Sequence, residues 1–389
     1  MISVDEALAA LFALVDPLEV EEVPLVEAAG RVLARDVAAG RDQPPFDASA
    51  MDGYAVAGTP GPGAVLSVIG EAAAGHGFGG SIAPGEAVRI FTGAPVPEGA
   101  TRVIMQEDVT RAGDRITIGE NIGFGDNIRP MGGDFRKGET IPAPRRLRPA
   151  DLALMASMNI ARAPVYRRPE VAIIATGDEL VMPGETPAPD QIVASNGFGL
   201  KALFESHGAV ARLLPIARDT RASLETVLGL ATGNDLIVTI GGASVGDHDL
   251  VARLGPELGL ERAFYKVAMR PGKPLMAGRM GTAAMIGLPG NPVSAMVCGQ
   301  VFIAPMLHKM QGLGAARAPR LTARLAAPLP ANGPREHYMR ARLGPEGITA
   351  EDRQDSSLLS ILAHADALLV RPPHDPAREM GEAVEYLPI

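Results

Sequence analysis

The sequence predicts a multidomain α/β protein, and two observations support this fold class. Between about residues 168 and 313, strand-like and helix-like segments alternate. Such alternation is typical of a three-layer domain in which a doubly wound, mostly parallel sheet is covered on both faces. On either side of this region the chain has short β-like runs and many glycines. These flanking segments favour smaller β-rich domains.

The length of 389 residues is too great for one compact core and predicts two to four domains, and the chain divides into four regions by its sequence texture. Residues 1–45 and 138–167 would form a discontinuous domain of helical and extended segments. Its N-terminal helix and a second helix that begins at Pro149 could pair with each other. Residues 46–137 would then be an inserted β-rich domain, 168–313 the α/β domain and 314–389 a small C-terminal β-domain.

Composition and charge exclude several classes of protein. The 36 Lys and Arg against 45 Asp and Glu give a net charge of −9, which disfavours nucleic acid as the main partner. The single cysteine, Cys298, cannot form an internal disulfide and fits a reducing compartment. No apolar run approaches the roughly 20 residues that a membrane helix needs, and the acidic N-terminus lacks a signal peptide's basic segment. We therefore expect a cytoplasmic enzyme or binding protein that contacts no membrane.

Three unusual loops follow strands of the α/β region. Their sequences are "TGDEL" from Thr176, "GGASVGDHD" from Gly241 and "LPGNPVS" from Leu288. In an open α/β sheet, ligands bind outside the carboxyl ends of the strands. We expect the three loops to meet at that edge and to form a ligand site.

Small residues in these loops suit a ligand that carries an anionic group. Glycine permits close approach of the backbone, and a helix N-terminus offers unpaired N–H groups. Asn291 is predicted to cap a helix whose first residue is Pro292, which would leave the amides near Val293 and Ser294 free. The candidate ligand-binding residues in the other glycine-rich loop are Gly241, Gly242, Ser244 and Gly246.

Carboxylates follow the strands at the same edge and point to a metal ion. They are Asp178, Glu179, Asp219, Asp247 and Asp249. A phosphate about 4 Å from a carboxylate would cost roughly 4 kcal/mol at an effective dielectric constant of 20, and a helix N-terminus returns only about 0.3–2 kcal/mol. Mg²⁺ between the two groups reverses the sign of the interaction. The alternative is that some of these acids, Asp247 in particular, only cap helices.

A cationic segment completes the predicted site. In "YKVAMRPGKPLMAG", Lys266, Arg270 and Lys273 lie close together, and Pro274 follows them. A solvated basic loop is the alternative, but the flanking apolar residues should hold these charges near the sheet. The segment is not a Walker A motif, because no glycine-rich run precedes it and no Ser or Thr follows the lysine.

Several segments together resemble one family, the molybdopterin molybdotransferases or molybdenum insertases, which are related to the C-terminal part of gephyrin. They include "PPFDASAMDGYAV", "FTGAPVPEGA", "NIRPMGGDF", "RPGKP" and "GLPGNPVSA", in the family's order. The resemblance implies an elongated homodimer whose α/β domain binds molybdopterin and whose second domain faces the partner's cleft. It also implies the reaction: adenylylated molybdopterin and molybdate give molybdenum cofactor and AMP, with Mg²⁺ as cofactor.

The resemblance also assigns roles to residues. Asp178, Glu179, Asp219 and Asp249 would hold Mg²⁺ or orient the pyrophosphate. Lys266, Arg270 and Lys273 would neutralise the anionic pterin phosphate or molybdate, with Ser294 close by. Pro274 and Asn291 would also belong to the substrate-binding residues. The second domain would contribute Asp52, Thr92, Glu107 and Asp134, and molybdate would lie near Arg340 and Ser357 or Ser360. One position departs from the family, because Arg270 stands where lysine is common, and a planar fork replaces a compact ammonium there.

Two other functions stay open from the sequence. A non-catalytic, gephyrin-like scaffold would use the same fold to bind partners, although no long interaction linker is visible. A pterin or nucleotide pyrophosphate hydrolase would use a related α/β domain, although the β-rich flanks match the insertases. For an insertase, the resemblance implies transient contact with a molybdopterin adenylyltransferase and with apo-molybdoenzymes.

Overall fold

The computed structural model describes residues 1–242 and 250–389. Its helices are α1 Val4–Phe12, α2 Pro149–Ser157, α3 Asn196–Ser206, α4 Arg221–Leu230, α5 Leu250–Leu254, α6 Pro292–Cys298, α7 Ala304–Met310 and α8 Leu359–Ala363. The strands before residue 160 are β1 Val20–Pro24, β2 Val32–Leu33, β3 Val37–Ala38, β4 Ala48–Ser49, β5 Gly53–Val56, β6 Val65–Ala72, β7 Glu86–Ile90, β8 Arg102–Met105, β9 Val109–Ala112, β10 Arg115–Ile118, β11 Ile128–Arg129, β12 Thr140–Ile141 and β13 Arg145–Arg146. The later strands are β14 Arg162–Tyr166, β15 Glu170–Ala175, β16 Leu180–Val181, β17 Ile192–Val193, β18 Val210–Leu213, β19 Leu236–Ile240, β20 Leu260–Tyr265, β21 Met269–Arg270, β22 Met276–Met280, β23 Ala283–Leu288, β24 Leu321–Arg324, β25 Glu336–Gly344, β26 Gly347–Ala350, β27 Ala367–Arg371 and β28 Ala383–Pro388.

Contacts divide the described chain into two compact units. The first unit contains Met1–Glu21, Gly30–Ala34 and Val165–Ile389, and the second contains Glu22–Ala29 and Arg35–Pro164. The four domain ranges expected from the sequence stay a prediction, because a division into two units is coarser than they are.

The main sheet of the first unit has the order β18-β15-β19-β23-β22-β20. The first four strands are parallel, and β22 and β20 are antiparallel additions at one side. β18 ends at Leu213, and Pro215, which follows it, has no N–H for a ladder. The predicted α/β class with a mostly parallel sheet is confirmed.

Helices cover both faces of this sheet, because the side chains of its central strands alternate between two apolar cores. Ile173 and Val238 pack with α3, α6 and α7 on one face. Ala172 and Ile237 pack with α4 and α5 on the other. This burial on both faces explains why the strands read as continuous apolar runs.

The segment from α6 to α7 is one continuous helix, Pro292–Met310, with a π-helical stretch over Gly299–Ile303. By length and composition alone it is apolar enough to cross a membrane, but 78% of its most apolar window is buried inside the protein. Such burial is the property of a core helix. α1, whose N-cap residue Ser3 forms a capping box with Glu6, packs in the same core.

A second sheet of the first unit is formed mainly by the C-terminal residues. Its order is β21-β25-β27-β28-β24, with β26 on β25. β21 pairs in parallel with β25, so that Arg270 lies beside His337. Through this pairing, the cationic segment predicted from the sequence is tied to the C-terminal sheet.

The second unit contains a six-stranded sheet in the order β8-β5-β7-β6-β10-β9. β6 and β7 are parallel, and the other neighbours are antiparallel. Separate apolar clusters cover its two faces. β5 lies between β7 and β8, and this order decides which loops meet at its end.

A buried carboxylate, Asp151, anchors α2 in the second unit. Asp151 is 3% exposed and accepts hydrogen bonds from the Arg148 N–H at 2.8 Å and from the guanidinium groups of Arg145 and Arg148 at 2.5 and 3.2 Å. Burial alone raises the pKa of this carboxyl, but the hydrogen bonds outweigh burial and lower the pKa to about 2. The ionised form therefore contributes stability above the ordinary pKa near 4, and that contribution is lost as the pH falls towards 2.

We expect Asp151→Asn to destabilise the second unit at pH 7 by about 2–3 kcal/mol, the usual worth of hydrogen bonds to a charged group. Thermal unfolding followed by circular dichroism measures the loss. The gap between wild type and variant should shrink between pH 4 and pH 2, because the wild-type carboxyl protonates there. A gap that stays constant with pH would show that the charge of Asp151 contributes nothing.

Candidate functional site

A cavity of about 540 Å³ opens at the carboxyl ends of the parallel strands in the first unit. Segments that follow three neighbouring strands line it. After β15 these are Thr176, Gly177 and Glu179; after β19, Gly241 and Gly242; and after β23, Pro289, Gly290 and Asn291. The three loops therefore meet at one edge of the sheet, as the sequence predicts.

Two glycines let the backbone after β19 form the cavity wall. Gly241 and Gly242 have φ values of 89° and 63°, which favour glycine. A Cβ on Gly241 would also lie 2.9 Å from the carbonyl oxygen of Thr176, and one on Gly242 would lie 2.9 Å from Val251. Any side chain at these positions would be strained and would clash. The predicted site residues Ser244, Gly246 and Asp249, and the neighbouring Asp247, lie outside the described residues.

Two predicted carboxylates, Glu179 and Asp219, line the cavity. Both are exposed to solvent in the cavity region. Asp178 has a different position, because its Oδ1 accepts a hydrogen bond from the Asp219 N–H at 3.0 Å. Among these predicted acids, Glu179 and Asp219 therefore line the cavity, and Asp178 instead holds the backbone of the loop that carries Asp219.

Sequence reasoning missed Arg218, which holds this loop in place. Its Nη1 donates to the carbonyl oxygens of Gly177, Asp178 and Leu180 at 3.2, 3.1 and 2.9 Å. The guanidinium thus fixes the turn that carries Glu179. Its only signal in the sequence is its position next to Asp219.

The N-terminus of α6 forms another wall, and part of its prediction was wrong. Pro292 is the first helical residue and Asn291 is at the cap, as expected, but Asn291 makes no side-chain capping bond. Its Nδ2 donates to the Ser356 hydroxyl at 3.0 Å, and the Val293 N–H, expected to be free, donates to the Ser356 carbonyl at 3.1 Å. Similarly, Asn196 does not cap α3 but donates through Nδ2 to the Gly290 carbonyl at 2.7 Å. Both asparagines brace the cavity wall instead of their own helices.

The contacts of Ser356 belong to the 353–357 loop, which Arg340 holds. Arg340 is 0% exposed, and its Nη2 donates to the carbonyl oxygens of Arg353 and Asp355 at 3.2 and 2.9 Å. Its Nε and Nη1 are buried without a hydrogen-bond partner among residues 1–242 and 250–389. Buried donors without acceptors are costly, so these two nitrogens are an unusual feature of the site.

The two serines predicted near molybdate have other contacts. Ser357 donates from both its N–H and its hydroxyl to Asp355 Oδ1, at 2.8 and 2.7 Å. Ser360 lies in α8, where its carbonyl contacts His364. Ser356 contacts the cavity residue Asn291, and the spacing of the serines alone did not distinguish it from its neighbours.

The cationic segment lies between the cavity and the C-terminal sheet. Pro274 lines the cavity, Lys273 and Arg270 are exposed, and the Lys266 Nζ lies 5.1 Å from the centroid of the Tyr265 ring. Ser294, in the first turn of α6, is buried. The segment therefore places two exposed cations close in sequence to the cavity wall.

Several arginines surround His337, a neighbour of the cationic segment. Burial is the main cause that lowers the pKa of His337 to about 4, and the charges of Arg270, Arg340, Arg371 and Arg335 lower it further. A neutral imidazole among several guanidinium groups is consistent with a region that attracts anions.

The remaining predicted residues belong to the second unit. Asp52 Oδ1 accepts hydrogen bonds from the Thr92 N–H and hydroxyl, both at 2.7 Å. The bond from the Thr92 N–H is the main cause that lowers the pKa of Asp52, followed by the bond from its hydroxyl. Glu107 Oε1 accepts from Gln106 Nε2 at 3.1 Å, and Asp134 is exposed, with its N–H bonded to the Gln43 carbonyl.

The two carboxylates of the cavity suit a metal ion that takes its other ligands from water and substrate. Within the two described ranges, no group of three or more His, Cys, Asp or Glu side chains could hold a metal. Glu179 and Asp219 nevertheless line one cavity. Mg²⁺ typically takes one or two carboxylates and completes its shell with water and substrate oxygens. The two residues fit that pattern.

Comparison with known proteins gives consistent matches along the whole chain. Three family models match: "MoeA N-terminal region (domain I and II)" over residues 2–159, "Probable molybdopterin binding domain" over 172–309 and "MoeA C-terminal region (domain IV)" over 322–389. A molybdopterin molybdenumtransferase of Nostoc sp. is 35% identical over 396 residues, covering 96% of this chain and 90% of the relative. Molybdopterin molybdenumtransferase 2 of Mycobacterium tuberculosis is 37% identical over 364 residues, covering 89% of each. The crystal structure of the molybdopterin biosynthesis moeA protein from Pyrococcus horikoshii OT3 superposes with a TM-score of 0.85 at 29% identity, covering 100% of both chains.

Proposed function

Given that the chain belongs to the molybdopterin molybdenumtransferase family, the MoeA proteins, we propose that it transfers molybdate to adenylylated molybdopterin in an Mg²⁺-dependent reaction that releases AMP. The curated relatives are named for molybdenum transfer to molybdopterin. The adenylylated substrate, the metal and the AMP product are the finer parts of the proposal. A homodimer, which the family resemblance implies, is proposed as the working form.

The observation that best supports this reaction is the cavity at the carboxyl edge of the parallel sheet. It lies in the part of the chain that matches the molybdopterin-binding family model, and two carboxylates line it beside two glycines. A pyrophosphate needs close backbone approach and compensation of its charge. Gly241 and Gly242 would supply the first, since both line the cavity and have no side chain beyond the backbone.

Glu179 and Asp219 would hold the magnesium ion. When bound, Mg²⁺ supplies positive charge to the oxygens of the pyrophosphate. Arg218 keeps Glu179 in place through three carbonyl contacts, and Asp178 ties the Asp219 backbone. The protein thus contributes fixed positions for its carboxylates, and no protein nucleophile is required.

Molybdate would bind on the cationic side of the same region. Arg340 has two buried nitrogens free of protein partners within the described residues, and Arg270 adds a charge beside the C-terminal sheet. The 353–357 loop links Arg340 to Asn291 and α6, and therefore to the cavity wall. An oxyanion held there would lie next to the domain proposed to bind the pterin.

The experiment that tests the function is incubation of the purified protein with adenylylated molybdopterin, Mg²⁺ and molybdate. We expect AMP release to depend on both ions and molybdenum cofactor to form, which reconstitution of an apo-molybdoenzyme detects. AMP release without molybdate, and without cofactor, would support a pyrophosphate hydrolase instead. Absence of AMP release under all conditions would leave a binding role, as in the scaffold alternative.

A further inference from the structure

In the second unit, one arginine that is not among the predicted site residues links the segments that carry two of them. Arg89 lies on β7, and its guanidinium carbon is 5.1 Å from the centroid of the Tyr54 ring and 4.8 Å from that of Phe91. Two cation–π contacts restrict a side chain that would otherwise have many rotamers. Arg89 is therefore held in one orientation before any ligand binds.

The guanidinium reaches across β5 to the segment after β8. Arg89 Nη1 donates to the Gly53 carbonyl at 3.1 Å, and Nη2 donates to Gln106 Oε1 at 2.5 Å. Gln106 in turn donates through Nε2 to Glu107 Oε1 at 3.1 Å. The order β8-β5-β7 in the sheet makes this connection possible.

The oxygen and the nitrogen of the Gln106 side-chain amide both form hydrogen bonds, and these bonds orient Gln106 as well. Its backbone N–H donates to the Asp52 carbonyl at 3.0 Å, and its side chain lies between Arg89 and Glu107. Asp52 has its own fixed contacts, two hydrogen bonds from Thr92. Glu107 is exposed, and its carboxylate accepts a hydrogen bond from the Gln106 amide.

We propose that Arg89 is a positioning residue that acts through Gln106 to orient the carboxylate of Glu107. This inference rests on the proposed function and on the role for Glu107 in that reaction which the family resemblance implies. A direct ion pair between an arginine and Glu107 would orient the carboxylate less well, because both side chains of an exposed ion pair keep several rotamers. Here an amide that is itself held by a stacked guanidinium selects one of them.

The test is a double-mutant cycle on AMP release by the full-length protein. Arg89→Met keeps the length of the side chain but removes its donors and charge, and Glu107→Gln removes the carboxylate. We expect Arg89→Met to lower the turnover number about 10- to 100-fold, the range of a misplaced catalytic group, with little change in KM for adenylylated molybdopterin. The double variant should be no slower than Glu107→Gln alone, because an oriented carboxylate is no longer present to be lost.

Two further variants separate positioning from folding. Gln106→Leu breaks the link without disturbing the Arg89 stack, and it should reproduce the effect of Arg89→Met even if the latter folds poorly. Arg115→Met removes an exposed arginine from β10 of the same sheet and should leave activity unchanged.

Three results would overturn the inference. They are wild-type turnover in folded Gln106→Leu or Arg89→Met, a double variant slowed by the product of the single effects, and full activity of Glu107→Gln. In each case the wild-type reaction would still stand. A wild-type protein that releases no AMP would instead remove the proposed function and this inference together.

Discussion

Replacing Arg340 by methionine is expected to lower molybdate-dependent AMP release by about 100-fold or more, the usual loss when one charge-stabilising donor is removed from an active site. Methionine has a similar length but no donors. The variant loses the contacts to Arg353 and Asp355, and with them the hold on the 353–357 loop. It also loses the two guanidinium nitrogens without protein partners in the described chain. Titration of AMP release with molybdate measures the effect, and the concentration for half-maximal rate should rise.

Arg342→Met is the matched control for this experiment. Arg342 lies two residues further along β25, is 58% exposed and pairs with Glu351. An exposed ion pair contributes little, so the control should respond to molybdate like the wild type. An unchanged molybdate titration in folded Arg340→Met would remove Arg340 from the oxyanion site, and an equal loss in both variants would point to damage of the strand.

Asp219→Asn is expected to reduce AMP release at millimolar Mg²⁺ by about 100-fold. The substitution neutralises one of the two carboxylates that line the cavity in the described structure, while its backbone N–H can still donate to Asp178. Because a neutral amide is a weaker ligand for a hard cation, the Mg²⁺ concentration for half-maximal rate should rise about 10-fold or more. Titration with Mg²⁺ at saturating substrate measures both changes.

Asp190→Asn provides the comparison, because Asp190 is exposed and does not line the cavity. It should leave the Mg²⁺ titration unchanged. The Mg²⁺ concentration for half-maximal rate of Asp178→Asn should lie between those of Asp190→Asn and Asp219→Asn, since the Asp178 carboxylate orders the loop without lining the cavity. If Asp219→Asn needed no more Mg²⁺ than the wild type, Asp219 would not be a metal ligand.

The sequence was sufficient to predict the edge of the sheet at which the loops meet. The signal is local: apolar strands end at Ala175, Ile240 and Leu288, and a glycine follows each within two residues. Parallel strands then bring these ends to one side by topology alone. The role of the glycines at 241 and 242 was predictable as well, because only glycine readily allows the positive φ values that both residues adopt.

Contacts between segments far apart in the chain were not predictable in this way. Asn291 has the residue type and position of a helix cap, yet its side chain contacts Ser356, 65 residues later. Arg340 and Arg218 act on loop carbonyls, which carry no sequence signature. Arg89 contacts Gln106 because β5 lies between β7, which carries Arg89, and β8, which Gln106 follows. A local sequence pattern does not predict the order of strands in a sheet. Such contacts require the tertiary structure.

The most direct test of the account is a crystal structure of the protein with adenylylated molybdopterin bound. We predict that the pyrophosphate lies in the 540 Å³ cavity, against the backbone of Gly241 and Gly242 and within reach of Glu179, Asp219 and Asn291. Substrate bound at another surface, with this cavity filled only by solvent, would contradict the account.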